Sequence, residues 1–238
     1  MRPLIDEVSI WKNVFVIVLP LLFLALAPPI LGKDFWEEKS YREWSERECR
    51  KMLQNSAWAK DYTQRGVSIM GTADRTLSDA EQPYLKYQIQ FRSALPVRQA
   101  IIRMAQITQK YDELKPEQKQ LFDQQADLFL AQDLSEWVIV YVTYETNIPT
   151  LYLDLTKDLK NRLLPIRLHL YGSKGDKVPI GRFVPPDGDQ RSFQLIFPRK
   201  YKGNEILGPE DKSLKFEFGS IFMEFKTDKM KINGKVEY

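Results

Sequence analysis

Histidine and cysteine are almost absent from this chain. Its 238 residues include one histidine, His169, and one cysteine, Cys49. A single cysteine excludes an internal disulfide framework, and a single histidine excludes most zinc sites and most hydrolases that use a histidine base. The sequence also has no G-x-S-x-G elbow and no phosphate loop that runs from a strand into a helix. We therefore expect a protein that is not an enzyme and that carries no cofactor.

A strongly basic surface is also missing. The formal net charge is +3, and acidic and basic residues alternate along the chain. Proteins that bind nucleic acid usually concentrate lysine and arginine on one face. This composition therefore argues against a nucleic-acid partner.

One long apolar run is the most informative segment that is present. Residues 14–32 form 19 consecutive uncharged residues, and about 20 apolar residues are needed to span a bilayer. Two alternatives are a cleaved secretory signal, because Ala25-Leu26-Ala27 has the small-x-small form of a cleavage site, and a buried soluble helix. Pro28 directly after that site hinders cleavage, and the prolines of the run also oppose a buried helix. We expect residues 14–32 to be a transmembrane helix or signal anchor.

The charges that flank the apolar run do not by themselves decide on which side of the membrane the large domain lies. More lysine and arginine follow the segment than precede it, which on the positive-inside rule places the large domain in the cytoplasm. Long domains cross largely regardless of that rule, and these basic residues are interleaved with acidic ones. We expect an extracytoplasmic domain, periplasmic in a bacterium, which is secreted if the leader is cleaved.

Residues 33–63 are rich in large aromatic side chains next to the expected anchor. Ser45 followed by Glu48 forms a capping-box pattern that begins a helix. The aromatic residues are either an interfacial belt or a partner-docking patch, or they pack this helix onto the main domain. The candidate partner-docking residues are Trp36, Tyr41, Trp44 and Trp58.

Strand patterns dominate the rest of the chain. Residues 84–92 alternate apolar and polar, and residues 137–145 are apolar on both faces, as in a central strand. Two proline-initiated helical stripes predict a hairpin of helices over residues 96–132. Short strand patterns follow, one of them over residues 151–155, and Asn233-Gly234 predicts a tight β-hairpin.

The predicted fold is mainly β and β-sandwich-like, with the helical hairpin inserted after its first strand and a single N-terminal transmembrane helix. The predicted organisation is a tail (1–13), the membrane segment (14–32), the aromatic-rich helix (33–63), a linker (64–83) and a β-rich domain (84–238).

Each candidate catalytic or metal-binding residue can also be explained by an ordinary structural role. His169 lies on a strand beside Arg167 and Tyr171, as an ordinary surface histidine does. Asp187 and Asp189 lack the spacing of an EF-hand loop and fit a turn around Gly188. Basic neighbours can lower the pKa of a thiol, yet Cys49 lies on the apolar face of its helix. We therefore predict no catalytic residue and no metal site.

Several short segments resemble a group of uncharacterised exported or membrane-anchored bacterial proteins. The resemblance rests on Trp36-Glu37-Glu38-Lys39, Tyr41-Arg42-Glu43-Trp44, Ser56-Ala57-Trp58-Ala59, Phe91-Arg92-Ser93-Ala94 and Phe197-Pro198-Arg199. It implies export and a β-rich domain, and it implies no activity.

These observations predict a membrane-anchored protein that acts as a docking or structural subunit of a bacterial envelope assembly, with one or more protein partners there. The alternative is a ligand-binding module for a lipid or glycan, with a pocket near Trp137, Tyr141 and Tyr144.

Overall fold

The computed structural model describes residues 34–66, 82–165, 167–172, 175–208 and 210–238. The chain divides into two compact units, Met1–Glu38 and Lys39–Tyr238. The expected membrane segment, residues 14–32, lies outside the described residues. Among the residues that are described, no helix is both long enough and apolar enough to cross a bilayer.

The described part of the chain contains five α-helices, thirteen strands and three short 3-10 helices at Tyr41–Glu43, Tyr111–Glu113 and Thr227–Lys229. The helices are α1 (Phe35–Glu38), α2 (Glu46–Gln54), α3 (Leu95–Thr108), α4 (Pro116–Leu130) and α5 (Pro149–Lys160). The strands are β1 (Ala59–Arg65), β2 (Tyr84–Phe91), β3 (Trp137–Thr146), β4 (Leu168–Tyr171), β5 (Lys177–Pro179), β6 (Arg182–Val184), β7 (Ser192–Pro198), β8 (Lys200–Tyr201), β9 (Asn204–Glu205), β10 (Ser213–Phe218), β11 (Ile221–Lys226), β12 (Lys231–Ile232) and β13 (Lys235–Val236).

Two antiparallel sheets form the larger unit. The five-stranded sheet has the order β1-β2-β3-β7-β6, and the four-stranded sheet has the order β11-β10-β4-β5. The prediction of a mainly β fold is confirmed. β3 is the central strand of its sheet as predicted, but only one of its two apolar faces is buried and not both. The Asn233-Gly234 hairpin is also confirmed, because both residues have positive φ between β12 and β13.

Aromatic rings from the two sheets meet in the core, so the sheets face each other as in a sandwich. Alternate residues of a strand point to opposite faces, and each sheet directs most of its aromatic rings towards the other. Four ring pairs bridge the sheets with centroid distances of 4.7–6.4 Å: Tyr87–Phe218, Phe91–Phe225, Phe193–Phe218 and Phe197–Phe216.

Helix α2 begins with the capping box that the sequence predicted. The Ser45 hydroxyl accepts from the Glu48 amide, and the Glu48 carboxylate accepts from the Ser45 amide. Hydrogen bonds from Lys39 and Ser45 lower the pKa of Glu48 to about 2. Cys49 and Met52 form the buried face of the helix.

The helical hairpin follows β2 and is held together by a buried arginine. Arg98 of α3 donates through Nη1 to the carbonyl oxygens of Phe129 and Leu130, at 3.3 and 2.9 Å, and to that of Gln132. The last carbonyls of a helix have no partner within the helix. Arg98 therefore caps the C-terminal end of α4, and desolvation lowers the pKa of its guanidinium.

Residues 237–238 are hydrogen-bonded to three segments that are far apart in the sequence. The Trp58 indole donates to the carbonyl oxygen of Glu237 at 2.7 Å, and the Leu95 amide donates to its carboxylate at 3.4 Å. Ala94, the N-cap of α3, offers no side-chain acceptor, so this carboxylate takes that role. Arg199 donates to the Tyr238 carbonyl and lies over its ring.

Three local predictions differ from the structure. Residues 59–63, predicted within the aromatic-rich helix, belong to strand β1, so the hairpin is inserted after the second strand and not the first. Residues 151–155, predicted as a strand, lie in α5. Leu151, Leu153 and Leu155 alternate as in a strand, but Thr156 and Leu159 form the buried helical face and leave Leu153 63% exposed.

We expect Trp58→Ala to lower the free energy of unfolding by about 3–5 kcal/mol, because it leaves a cavity in the core. Trp58→Phe keeps most of the ring but leaves the Glu237 carbonyl without its donor, at a cost of about 1–3 kcal/mol. Chemical denaturation of the full chain in mild detergent measures both values. Trp137→Ala, at a site that is 43% exposed, is the control, and an equal loss in the control would contradict the assignment of Trp58 to the core.

Candidate functional site

The four aromatic docking candidates do not share one exposed surface. Trp44 and Trp58 are 1% and 0% exposed, which favours the core-packing alternative for both. Tyr41 is partly exposed and contacts the Arg42 guanidinium. Trp36 belongs to the smaller unit, where its ring packs edge-on against Phe35.

The structure gives no support to chemistry at the other candidates. Cys49 is fully buried, and burial raises the pKa of its thiol to about 11, so the thiol is protonated at neutral pH. Asp187 and Asp189 are exposed. Within the described residues, no three His, Cys, Asp or Glu side chains come close enough together to hold a metal ion.

The proposed pocket near Trp137, Tyr141 and Tyr144 does not form as predicted. Residues of a strand separated by an odd number point to opposite faces. Tyr144 therefore lies in the core, 2% exposed, with its hydroxyl 2.8 Å from that of Thr156. Trp137 and Tyr141 face outward on the other side of β3, so the three rings cannot line one pocket.

His169 belongs to a constellation on the outer face of the four-stranded sheet. Phe216 and Phe218 of β10 point into the core, so Glu217 points out, as His169 and Tyr171 of β4 do. The register places Glu217 opposite His169 on one side and opposite Phe222 of β11 on the other. We call His169, Tyr171, Glu217 and Phe222 the Glu217 cluster.

The Glu217 carboxylate organises this cluster. Its Oε2 accepts a 2.7 Å hydrogen bond from the Tyr171 hydroxyl and lies 3.2 Å from Nδ1 of His169. The hydrogen bond from Tyr171 is the main cause that lowers the pKa of Glu217, with a further contribution from His169. The same hydrogen bond raises the pKa of Tyr171. The side chain of Glu217 is only 12% exposed, so the cluster is ordered around an ionised carboxylate.

The outer edge of the cluster is an exposed phenyl ring. Phe222 is 55% exposed although it occupies a polar position of the alternating strand β11. Its ring packs edge-on against Tyr171 with the centroids 5.7 Å apart. Because Tyr171 is held by Glu217, the position of Phe222 is also defined, and the outer face presents a preformed apolar contact beside polar groups.

The cluster does not contain the nucleophile–base pair of covalent catalysis. A glutamate that holds Nδ1 of a histidine can prepare Nε2 to act as a base, and covalent catalysis places a nucleophile within hydrogen-bond reach of that base. No hydroxyl or thiol of the described chain is hydrogen-bonded to His169. Tyr171, the nearest hydroxyl of the cluster, donates to Glu217 instead.

Sequence reasoning placed His169 beside Tyr171 but missed Glu217 and Phe222. Glu217 follows His169 by 48 residues, and the pairing of β4 with β10 is not encoded locally. The available signal was Phe222 itself, an aromatic residue at the solvent-facing position of a strand whose alternate residues are apolar.

A second ordered surface lies on the outer face of the five-stranded sheet. Gln88 donates to Asp61, Gln90 donates to Gln88, and Arg92 donates to Gln90, at 3.0–3.2 Å. The Arg92 guanidinium lies 3.1 Å from the centroid of the Tyr141 ring. Amides, a guanidinium and an aromatic ring are thus held side by side.

We expect Tyr171→Phe to raise the pKa of Glu217 towards its ordinary value, because the strongest hydrogen bond to the carboxylate is lost. A lowered pKa stabilises the fold at pH values above the ordinary pKa of glutamate, and this stabilisation is lost as the pH falls through the lowered pKa. The stability difference between wild type and variant should therefore shrink on acidification. Carboxyl NMR titration and melting curves measure both effects, with Tyr201→Phe as control; an unchanged titration would show that Tyr171 does not set this pKa.

Comparison with known proteins gives no identification. No protein-family model, curated protein or solved structure matches this chain. The likeness to exported bacterial proteins therefore stays an expectation from the residues that carry it, and the function has to be argued from the geometry of the Glu217 cluster.

Proposed function

We propose that this chain is a membrane-anchored, non-enzymatic docking subunit of a bacterial envelope assembly. In this proposal, residues 14–32 hold the protein in the membrane and the β-rich unit lies on the extracytoplasmic side. The outer face of the four-stranded sheet contacts a protein partner. The observation that carries the proposal is Phe222, an exposed ring that is positioned by a hydrogen-bonded cluster.

Preorganisation is the physical reason for choosing this surface. Binding costs free energy when flexible side chains must be ordered, at about 0.5–1.5 kcal/mol for each. The rings of Tyr171 and Phe222 are already in contact, and Tyr171 is already bonded to Glu217. Interfaces concentrate their binding energy in a few aromatic anchors of this kind.

Charged and polar side chains also lie next to the Glu217 cluster on the outer face. Outer-face residues of the neighbouring row carry charges of both signs, with Lys215 opposite Glu224 and Tyr171 opposite Lys177. A polar rim around an apolar contact excludes water from the anchor and selects the partner. This pattern fits another protein better than the apolar interior of a bilayer.

We expect Phe222→Ser to weaken association with the partner by about tenfold or more while leaving the fold intact, because the side chain is an exposed anchor and not a core residue. The measurement uses the full chain, purified in mild detergent from cells, with a photocrosslinking residue at position 222. Its adducts are identified and their yield is quantified, and the identified partner is then titrated directly against wild type and variant.

Leu163→Ser is the matched control, since Leu163 is also exposed, at 62%, but lies after α5 and not on the four-stranded sheet. The proposal requires a specific adduct from position 222 and none from position 163. Equal crosslinking from both positions, or unchanged affinity in Phe222→Ser, would remove the docking surface from this face.

The alternative function is a ligand-binding module, and the outer face of the five-stranded sheet favours a glycan over a lipid. Sugars are recognised by aromatic rings together with planar hydrogen-bonding groups, and the stacked Arg92 and Tyr141 offer both. Trp137 is 43% exposed on the same side of β3.

If this alternative holds, soluble fragments of envelope glycans raise the melting temperature of the full chain by ligand linkage, and Tyr141→Ala abolishes the shift. Phe222→Ser serves as the control and should retain it. No shift across a panel of glycans would rule the alternative out.

A further inference from the structure

A cleft with both signs of charge opens beside the proposed docking surface. Its volume is about 520 Å³, within the range of ligand sites in proteins. Three lysines line it, Lys212, Lys226 and Lys231, and so do the acidic residues Glu210, Glu224 and Asp228. The cleft lies where β11 turns towards the hairpin of β12 and β13.

The base of the cleft is built from ordered groups. Thr227 is 1% exposed and its hydroxyl donates to the Asp211 carbonyl. The Asp211 carboxylate accepts from the Gly208 amide, and the Thr227 amide donates to the Lys212 carbonyl. These bonds join the segment before β10 to the end of β11 and hold the two walls in place.

The charged side chains of the cleft are not neutralised by one another. Among the described residues, the seven ion pairs involve none of the three lysines and none of Glu210, Glu224 and Asp228. Opposite charges share one concave surface here without reaching 4 Å of each other. A ligand that carries both an amine and a carboxylate can pair with both sets.

The cleft continues the docking surface along a single strand. Phe222, Glu224 and Lys226 alternate on the exposed side of β11. A strand rises about 3.4 Å per residue, so Phe222 and Lys226 lie about 14 Å apart along it. An extended segment of about four residues covers the same distance.

Lys60 decides how such a segment can bind. β11 is an edge strand of its sheet, and an edge can accept an additional strand through its backbone. The Lys60 ammonium donates to the Glu224 carbonyl and lies 5.0 Å from the centroid of the Phe225 ring. It occupies the backbone acceptor in the middle of β11, which disfavours the pairing of an added strand there and favours recognition through side chains.

We propose that the cleft binds an extended peptide segment of the partner that carries an acidic and a basic side chain, about four residues from an apolar side chain that contacts Phe222. The inference rests on the proposed docking function and names the chemistry of its partner. Anionic polymers fit poorly, because acidic side chains line the cleft together with the lysines.

Defined peptides test this composition. Acetylated and amidated Leu-Ser-Gly-Ser-Lys-Glu is compared with versions ending in Lys-Lys or Glu-Glu, in both chain directions, by NMR titration of the full chain in mild detergent. We expect the mixed-charge peptide to bind at least about fivefold more tightly than either single-sign peptide, with an affinity that falls as salt is added.

Charge reversal locates the binding. Lys231→Glu and Glu224→Lys should each raise the dissociation constant of the mixed peptide by about fivefold or more, whereas Lys157→Glu on the exposed face of α5 should not. Equal affinity for the three peptides, or no effect of either cleft variant, would overturn the inference.

The two proposals fail in different ways. If the peptides do not discriminate, but position 222 still crosslinks to the partner and Phe222→Ser still weakens the partner's affinity, the partner docks on the sheet without using the cleft, and only this inference is overturned. If the crosslink at position 222 is also absent, the docking function is overturned with it.

Discussion

The rings between the two sheets determine what each sheet shows to the outside. Phe216 and Phe218 have to point inward to meet Phe193 and Phe197, and strand geometry then directs Glu217 outward. Leu168 and Leu170 are buried in the same way and direct His169 and Tyr171 to the outer face. The Glu217 cluster is thus a consequence of core packing. A shift of register by one residue in β10 would bury the carboxylate and expose the phenyl rings.

The contacts that hold the fold together and the proposed docking surface involve separate sets of residues. The hydrogen bonds from Trp58 and Leu95 to Glu237 connect the start of β1 and the start of α3 to residues 237–238. Arg98 holds α4 to α3. Phe222 takes part in neither arrangement, and its exposed ring packs against Tyr171. A change at Phe222 therefore tests the proposed docking surface without removing either of these arrangements.

Local sequence patterns predicted the helices, strands and turns better than they predicted which strands pair with each other. The capping box at Ser45, the helical hairpin, the central strand β3 and the Asn233-Gly234 turn depend on neighbouring residues, and the structure has all four. Strand pairing across long sequence separations does not depend on neighbouring residues, so the contact between Glu217 and His169 could not be predicted. The leucines of α5 alternate as in a strand, whereas in the helix Thr156 and Leu159 are buried and Thr156 is hydrogen-bonded to Tyr144 of β3. The burial of Trp44 and Trp58 is likewise a tertiary property that aromatic composition alone leaves open.

The contact between Lys60 and β11 also affects how copies of the protein behave when they are crowded. Unpaired edges of β-sheets are templates for edge-to-edge pairing, and natural proteins commonly protect them with lysine. The membrane anchor proposed for residues 14–32 would confine the protein to two dimensions, where it meets its neighbours often and in similar orientations. With its ammonium on the Glu224 carbonyl, Lys60 disfavours the strand-to-strand contact that would turn such encounters into a growing aggregate, and it leaves the side chains of the same strand free to face outward.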